Sequence, residues 1–223
     1  MARSRWVEAS VAVLAAVLAG VLATVTAVPA SAAPALRYHL ALGDSLAYGF
    51  QRVKVGQPPS AFRTGYADLL AARLRHAGRL PELVNYGCPG ETTASFASGS
   101  CPWSAAGFPL HDTFSAPQLD AATEFLRAHR GRVDLVTVSL WGNDANDFVA
   151  SCNGNVQCIV DGAPAAIARL AAARAQFVDP MPVFDAGGGT ALCTYTLLCR
   201  DGDAHPSDTG YAALADLAEA KLN

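Results

Sequence analysis

Tyr38-His39-Leu40-Ala41-Leu42-Gly43-Asp44-Ser45-Leu46, residues 38–46, decides the fold class. A compact, mostly apolar run stops at a glycine, and polar residues follow at once, as where a buried strand delivers its chain to a loop. The same event recurs twice. Glu82 to Tyr86 enters a Gly/Pro/Cys-rich loop over 87–101, and Val133 to Leu140 enters Trp141-Gly142-Asn143-Asp144. Between these runs the apolar spacing turns helical: Tyr66, Leu69, Leu70 and Leu74 before Gly78, then Leu119, Ala122 and Leu126 before Gly131. Strands alternating with amphipathic helices predict an α/β domain around a parallel sheet. Val133 to Leu140 is nearly continuous Val and Leu, which predicts a strand buried on both faces.

Further along, Ala163 to Arg174 reads as an Ala-rich helix, and Ala175 to Val178 leads into a short strand ended by Asp179-Pro180. That junction carries no Gly, Pro or Asn turn, although α/β connections normally take about two to six residues with a glycine cap. Ser207 or Asp208 caps a last helix whose face is Tyr211, Leu214, Ala215, Ala218 and Leu222.

The chain of 223 residues opens with Arg3 and Arg5, an apolar stretch from Ala9 to Val28, and Ala30-Ser31-Ala32. A basic start, an apolar run and a small-x-small pattern are what signal peptidase reads, so residues 1–32 are expected to be a signal peptide and 33–223 one domain. The competing reading is an uncleaved anchor, since the run is long enough to cross a bilayer; its alanine content makes it only weakly hydrophobic. The expectation is a secreted, monomeric protein with no stable membrane insertion after leader cleavage. A formal net charge of −3 offers no basic face for nucleic acid.

All six cysteines lie beyond the leader: Cys88, Cys101, Cys152, Cys158, Cys193 and Cys199. In an exported chain an even number reads as disulfides. Sequential pairing is favoured because 88–101, 152–158 and 193–199 each bracket a short Gly-, Pro- or polar-rich loop. Zinc is the alternative, but no C-x2-C spacing occurs and only His205 lies near a cysteine pair. No metal and no cofactor are expected.

Four polar clusters can carry chemistry. Gly43-Asp44-Ser45-Leu46 puts a hydroxyl just beyond a strand, beside backbone N–H groups able to face a developing negative charge. Asn85 to Thr93 supplies glycines, which let a backbone N–H approach an anion closely. Asn143 brings an uncharged donor that does not titrate away. In Asp201-Gly202-Asp203-Ala204-His205-Pro206, His205 is the one histidine of five in such a polar loop; a neutral imidazole there can take a serine proton and return it to a leaving alcohol. Singly, each cluster also reads as an ordinary cap or turn.

In this order the clusters resemble the four motif blocks of the SGNH (GDSL-like) serine hydrolases, spanning residues 43 to 206. The resemblance implies a flavodoxin-like three-layer α/β/α sandwich and hydrolysis of small-molecule or lipid esters. It also implies Ser45 as nucleophile, His205 as general base, and an oxyanion hole from the N–H groups of Ser45 and Gly90 with the Asn143 side chain. No Gly-x-Ser-x-Gly elbow is present, so the α/β-hydrolase version of serine chemistry is not indicated. Two features depart from the family. The position three before the histidine, usually the triad acid, is Gly202; Asp203, Asp201 or the Gly202 carbonyl remain to orient the imidazole. One strand-helix unit also lacks a counterpart near Arg174, so either the last strand fills its slot or the sheet has a defect. The corresponding alternative is a shortened, inactive relative serving as a binding module or a non-functional remnant. Trp103, Phe108, Phe114, Trp141 and Phe148 are candidate apolar lining.

Overall fold

The computed structural model describes residues 36–79, 81–140, 142–155, 157–158, 178–187 and 189–222. The expected leader, the Ala163–Arg174 helix, residues 175–177 of the following strand and Trp141 lie outside the described residues.

A parallel three-stranded sheet carries the domain. In chain order it is built from β1 (Arg37–Gly43), α1 (Ser45–Tyr48), α2 (Tyr66–His76), β2 (Pro81–Asn85), α3 (Thr93–Ser98), α4 (Gln118–Ala128), β3 (Val133–Ser139) and α5 (Gly142–Ser151). There follow α6 (Thr190–Tyr195), β4 (Thr196–Leu197), β5 (Asp203–Pro206) and α7 (Asp208–Ala220), with short helical turns between several of these. β1 is central, in the order β2-β1-β3, with Leu40 level with Val84 and Val136, and Leu42 with Val138. β4 and β5 form a separate antiparallel ladder.

Alternation along β1 decides what each face meets. Ala41 faces α2 and α7, whose Tyr66, Ala67, Leu70, Leu74, Tyr211 and Ala215 close over it. Leu40 and Leu42 face the other way, onto Ala122 of α4 with Phe125, Phe96 and Val84 around it. Helices on both faces of the sheet make the three-layer α/β/α arrangement. Each fully buried Leu contributes about 1.5–3 kcal/mol. In a third cluster Tyr48, Phe62 and Leu110 pack on the Cys88–Cys101 disulfide. Disulfides also join Cys152 to Cys158 and Cys193 to Cys199.

β3 is not buried on both faces. Asp134, Val136 and Val138 alternate outward, and Val138 is 54% exposed. Leu119 and Leu126 of α4, expected in the core beside Ala122, are exposed as well. The physical reason is that, among the described residues, no strand pairs with the far edge of β3 and no helix covers its outer valines. Val178, expected at the end of a strand, is not in one. The strand expected over 175–178 falls almost wholly outside the described residues, and the described β5 pairs with β4.

Two glycines allow the approaches that position the site. Gly43 ends β1 at φ 114°, and an added Cβ would sit 1.8 Å from the Ser139 carbonyl oxygen, so no other residue fits. At Gly210 a Cβ would meet the Tyr195 carbonyl at 1.9 Å; without one, the first turn of α7 lies directly on the end of α6.

Candidate active site

The site forms where the strands end and the loops converge, as parallel sheets favour. Asp44 caps α1, its side chain accepting from the Leu46 N–H at 3.0 Å. Ser45 therefore occupies the first helical position, where backbone N–H groups have no partner within the helix. Gly49 ends this single turn in the left-handed conformation, turning the chain at Phe50 across the face of the site.

His205 is carried to Ser45 from 160 positions along the chain, with Nε2 2.9 Å from Ser45 Oγ. On its other side Nδ1 lies 2.6 Å from Asp203 Oδ1. Of the three groups that could orient the imidazole, Asp203 is the one facing Nδ1, while Asp201 pairs with Arg200. Asp203 is fully buried. Burial raises its pKa, but bonds from the Arg52 N–H (2.8 Å) and from His205 outweigh that, and the carboxyl lies below its ordinary value.

Three consecutive residues after the Ser45 turn hold the histidine loop in place. The Phe50 ring meets the His205 ring edge-on at 4.6 Å. Gln51 donates through Nε2 to the Pro206 carbonyl at 3.1 Å and to Asp208 Oδ1 at 3.0 Å. Arg52 adds its backbone bond to Asp203. From behind, the buried Tyr211 hydroxyl of α7 donates to the Phe50 carbonyl at 2.8 Å. Phe50, Gln51 and Arg52 were not singled out from the sequence, and Tyr211 reads there only as part of the face of the last helix, because these contacts span more than 150 positions and follow no local pattern.

Gly90 and Asn143 complete the surround. A cavity of about 280 Å³ is lined by Ser45, Phe50, Pro89, Gly90, Trp103, Asn143 and His205. Gly90 takes φ 87°, which suits glycine. Asn143, in the first turn of α5, donates one amide N–H to the Glu91 carbonyl at 2.7 Å and keeps a second. Asp144 beside it accepts from the Thr93 N–H at 2.9 Å, joining the third cluster to the second. Trp103 stacks on Phe108 at 4.1 Å and so extends the apolar wall. Phe114 packs instead against Tyr86, and Phe148 is absent from the cavity lining.

Asp44 lies just beneath Ser45. Burial pushes its carboxyl up to about 6, against bonds from Leu46 and Ser139 and attraction from His205. Cys88, Glu91 and Cys101 bring three metal-type donors together, but the two sulfurs share a disulfide and have no thiolate to give an ion.

With this geometry in view, sequence comparison supplies the class. The GDSL-like lipase/acylhydrolase family model matches residues 40–195, and the chain belongs to that family. Among solved structures it is similar to a mutant of the esterase AlinE4, at 25% identity and a TM-score of 0.30, over 56% of this chain and 52% of that one. The chain thus spans about half the length of that esterase. No curated protein matches. Among the described residues, no helix is long and apolar enough to cross a membrane.

Proposed function

We propose that this protein is a secreted serine hydrolase that cleaves small carboxylic esters through an acyl-enzyme on Ser45. The observation that carries the proposal is the unbroken chain Asp203 Oδ1–His205–Ser45 Oγ, with contacts of 2.6 and 2.9 Å at the mouth of a cavity. His205 Nε2 takes the hydroxyl proton as Oγ attacks the ester carbonyl, while Asp203 accepts from Nδ1–H and stabilises the imidazolium. The carbonyl oxygen gathers negative charge between the N–H groups of Ser45 and Gly90 and the free N–H of Asn143, all fixed before the reaction begins. Collapse of the tetrahedral adduct breaks the ester C–O bond, and His205 gives its proton to the departing alcohol. Water then repeats the sequence on the acyl-enzyme and releases the acid. Trp103 and Phe50 offer the acyl group an apolar wall. No step calls for a metal or cofactor.

Secretion of a monomer after cleavage of residues 1–32 is part of this proposal, supported by the leader-like sequence and three disulfides, which persist in oxidising compartments. The uncovered valines of β3 favour a second reading, a shortened and inactive relative. A fluorophosphonate probe separates the two. The proposal expects labelling of the wild type that disappears in Ser45→Ala, together with turnover of short acyl esters. Folded wild type that neither labels nor turns over would establish the inactive relative.

A further inference from the structure

We infer that Gln118 is a positioning residue for the oxyanion hole, acting through Gly43 and Glu91; this rests on the hydrolase reading above. Gln118 opens α4 beneath the sheet and is 1% exposed. Its Oε1 accepts from the Gly43 N–H at 2.5 Å, and its Nε2 donates to the Gly43 carbonyl at 3.1 Å and to Glu91 Oε2 at 3.0 Å. Gly43 immediately precedes Asp44 and Ser45. One side chain thus fixes the peptide planes on both sides of the residue from which the nucleophile turn departs.

Glu91 extends the hold to the other two donors. It is fully buried, and its carboxyl accepts from Gln118 and from the Ser95 hydroxyl of α3. Its backbone N–H bonds the Cys88 carbonyl at 3.0 Å, which sets the peptide joining it to Gly90. Its own carbonyl receives Asn143 Nδ2 at 2.7 Å. The strand end before Ser45, the residue after Gly90 and the amide of Asn143 therefore share one connected set of hydrogen bonds. Filling volume alone would not favour such a set, because Leu or Met would occupy the space without the cost of burying polar groups.

Donors aimed at a developing oxyanion act on the transition state more than on bound ester, so loosening them lowers kcat and spares KM. Gln118→Leu removes all three bonds at similar volume. We expect kcat to fall about 10- to 100-fold with KM within about twofold. The inhibition constant of a trifluoromethyl ketone, which forms a tetrahedral adduct on Ser45, weakens in step with kcat. Gln118→Glu keeps the acceptor for the Gly43 N–H but loses the N–H2, and gives the same split if Gln118→Leu does not fold. Glu91→Gln, whose amide oxygen can still accept from Gln118 Nε2 while its N–H2 donates to the Ser95 hydroxyl oxygen, leaves the carbonyl on Asn143 untouched and keeps most of kcat; Glu91→Leu does not. A folded Gln118 variant with kcat and ketone affinity within about twofold of wild type, or Glu91→Leu matching Glu91→Gln, overturns the inference. Failure of the hydrolase reading looks different, since the wild type itself is then inert and unlabelled.

Discussion

His39 occupies the middle of β1, its Nε2 2.9 Å from Thr137 Oγ1 and its Nδ1 buried without a partner. Burial lowers its pKa to about 4 from an ordinary 6.5. Between those values the unfolded chain binds a proton that the native state refuses, so this contribution to stability is complete above 6.5 and is lost as pH falls towards 4. The loss is on the order of 3 kcal/mol. Asp44 and Asp68 act in the opposite sense. Burial raises both carboxyls to about 6, so stability is complete below the ordinary 3.8 and is lost as pH rises through 6. Because the windows overlap, the wild type hides much of each slope. His39→Gln is expected to gain more stability than the wild type on acidification through this range, and Asp44→Asn to gain less. Urea denaturation between about pH 4 and 7 reads both signs, and parallel profiles for the two variants would refute the assignment. In Asp203→Asn an N–H2 can face His205 Nδ1 and favour the wrong tautomer. Because the amide oxygen can still accept from Arg52, kcat is expected to fall on the order of 10²–10⁴-fold with little change in thermal midpoint.

At the scale of the element, β3 shows how differently the two faces of one strand are covered. Its inner residues Leu135 and Thr137 face α2 and α7 as a central strand would, while Val136 and Val138 remain open to solvent. We therefore expect Val138→Thr to change stability by less than about 0.5 kcal/mol. Leu40→Ala, on the adjacent strand at zero exposure, is expected to cost about 2–5 kcal/mol. Equal losses in chemical denaturation would mean that the outer face of β3 is covered after all. The contrast also marks how far sequence reading reaches. A Val/Leu run encodes the capacity to be buried on two faces, but cover comes from other elements, so residues 133–140 read as a central strand. The helix of Leu119, Ala122 and Leu126 fails in the same way, because only Ala122 meets the sheet. The four polar clusters were legible because each is local, a strand end with a turn or cap attached. Which group orients His205 was not, since spacing does not distinguish an Asp203 carboxylate from a Gly202 carbonyl. Gln118 left no signal at all: a glutamine after Pro117 looks like any helix start.

For the molecule as a whole, the question is how a site made from opposite ends of the chain is held while the outer valines of β3 stay exposed. The answer is in what holds each part. His205 depends on Phe50, Gln51, Arg52 and Tyr211, and α7 packs on α2; the outer face of β3 contributes to none of these contacts. The second wall depends on the Cys88–Cys101 disulfide, which closes the loop carrying Gly90 and underlies Trp103. Cys152–Cys158 lies past the far end of α5, about 13 Å along the helix from Asn143. These placements predict different consequences for two disulfides in one fold. Replacing Cys88 and Cys101 together by alanine is expected to cost about 3 kcal/mol and most of the proposed turnover, because the loop loses both its tether and its packing. Replacing Cys152 and Cys158 together by serine removes a shorter loop closure and leaves kcat/KM within about threefold of wild type, since misplacement at the site is what costs rate. Paired urea melts and turnover measurements decide the matter. If the distal pair proved the more damaging to turnover, the far end of α5 would have to support Asn143, and the whole of α5 would bear directly on catalysis.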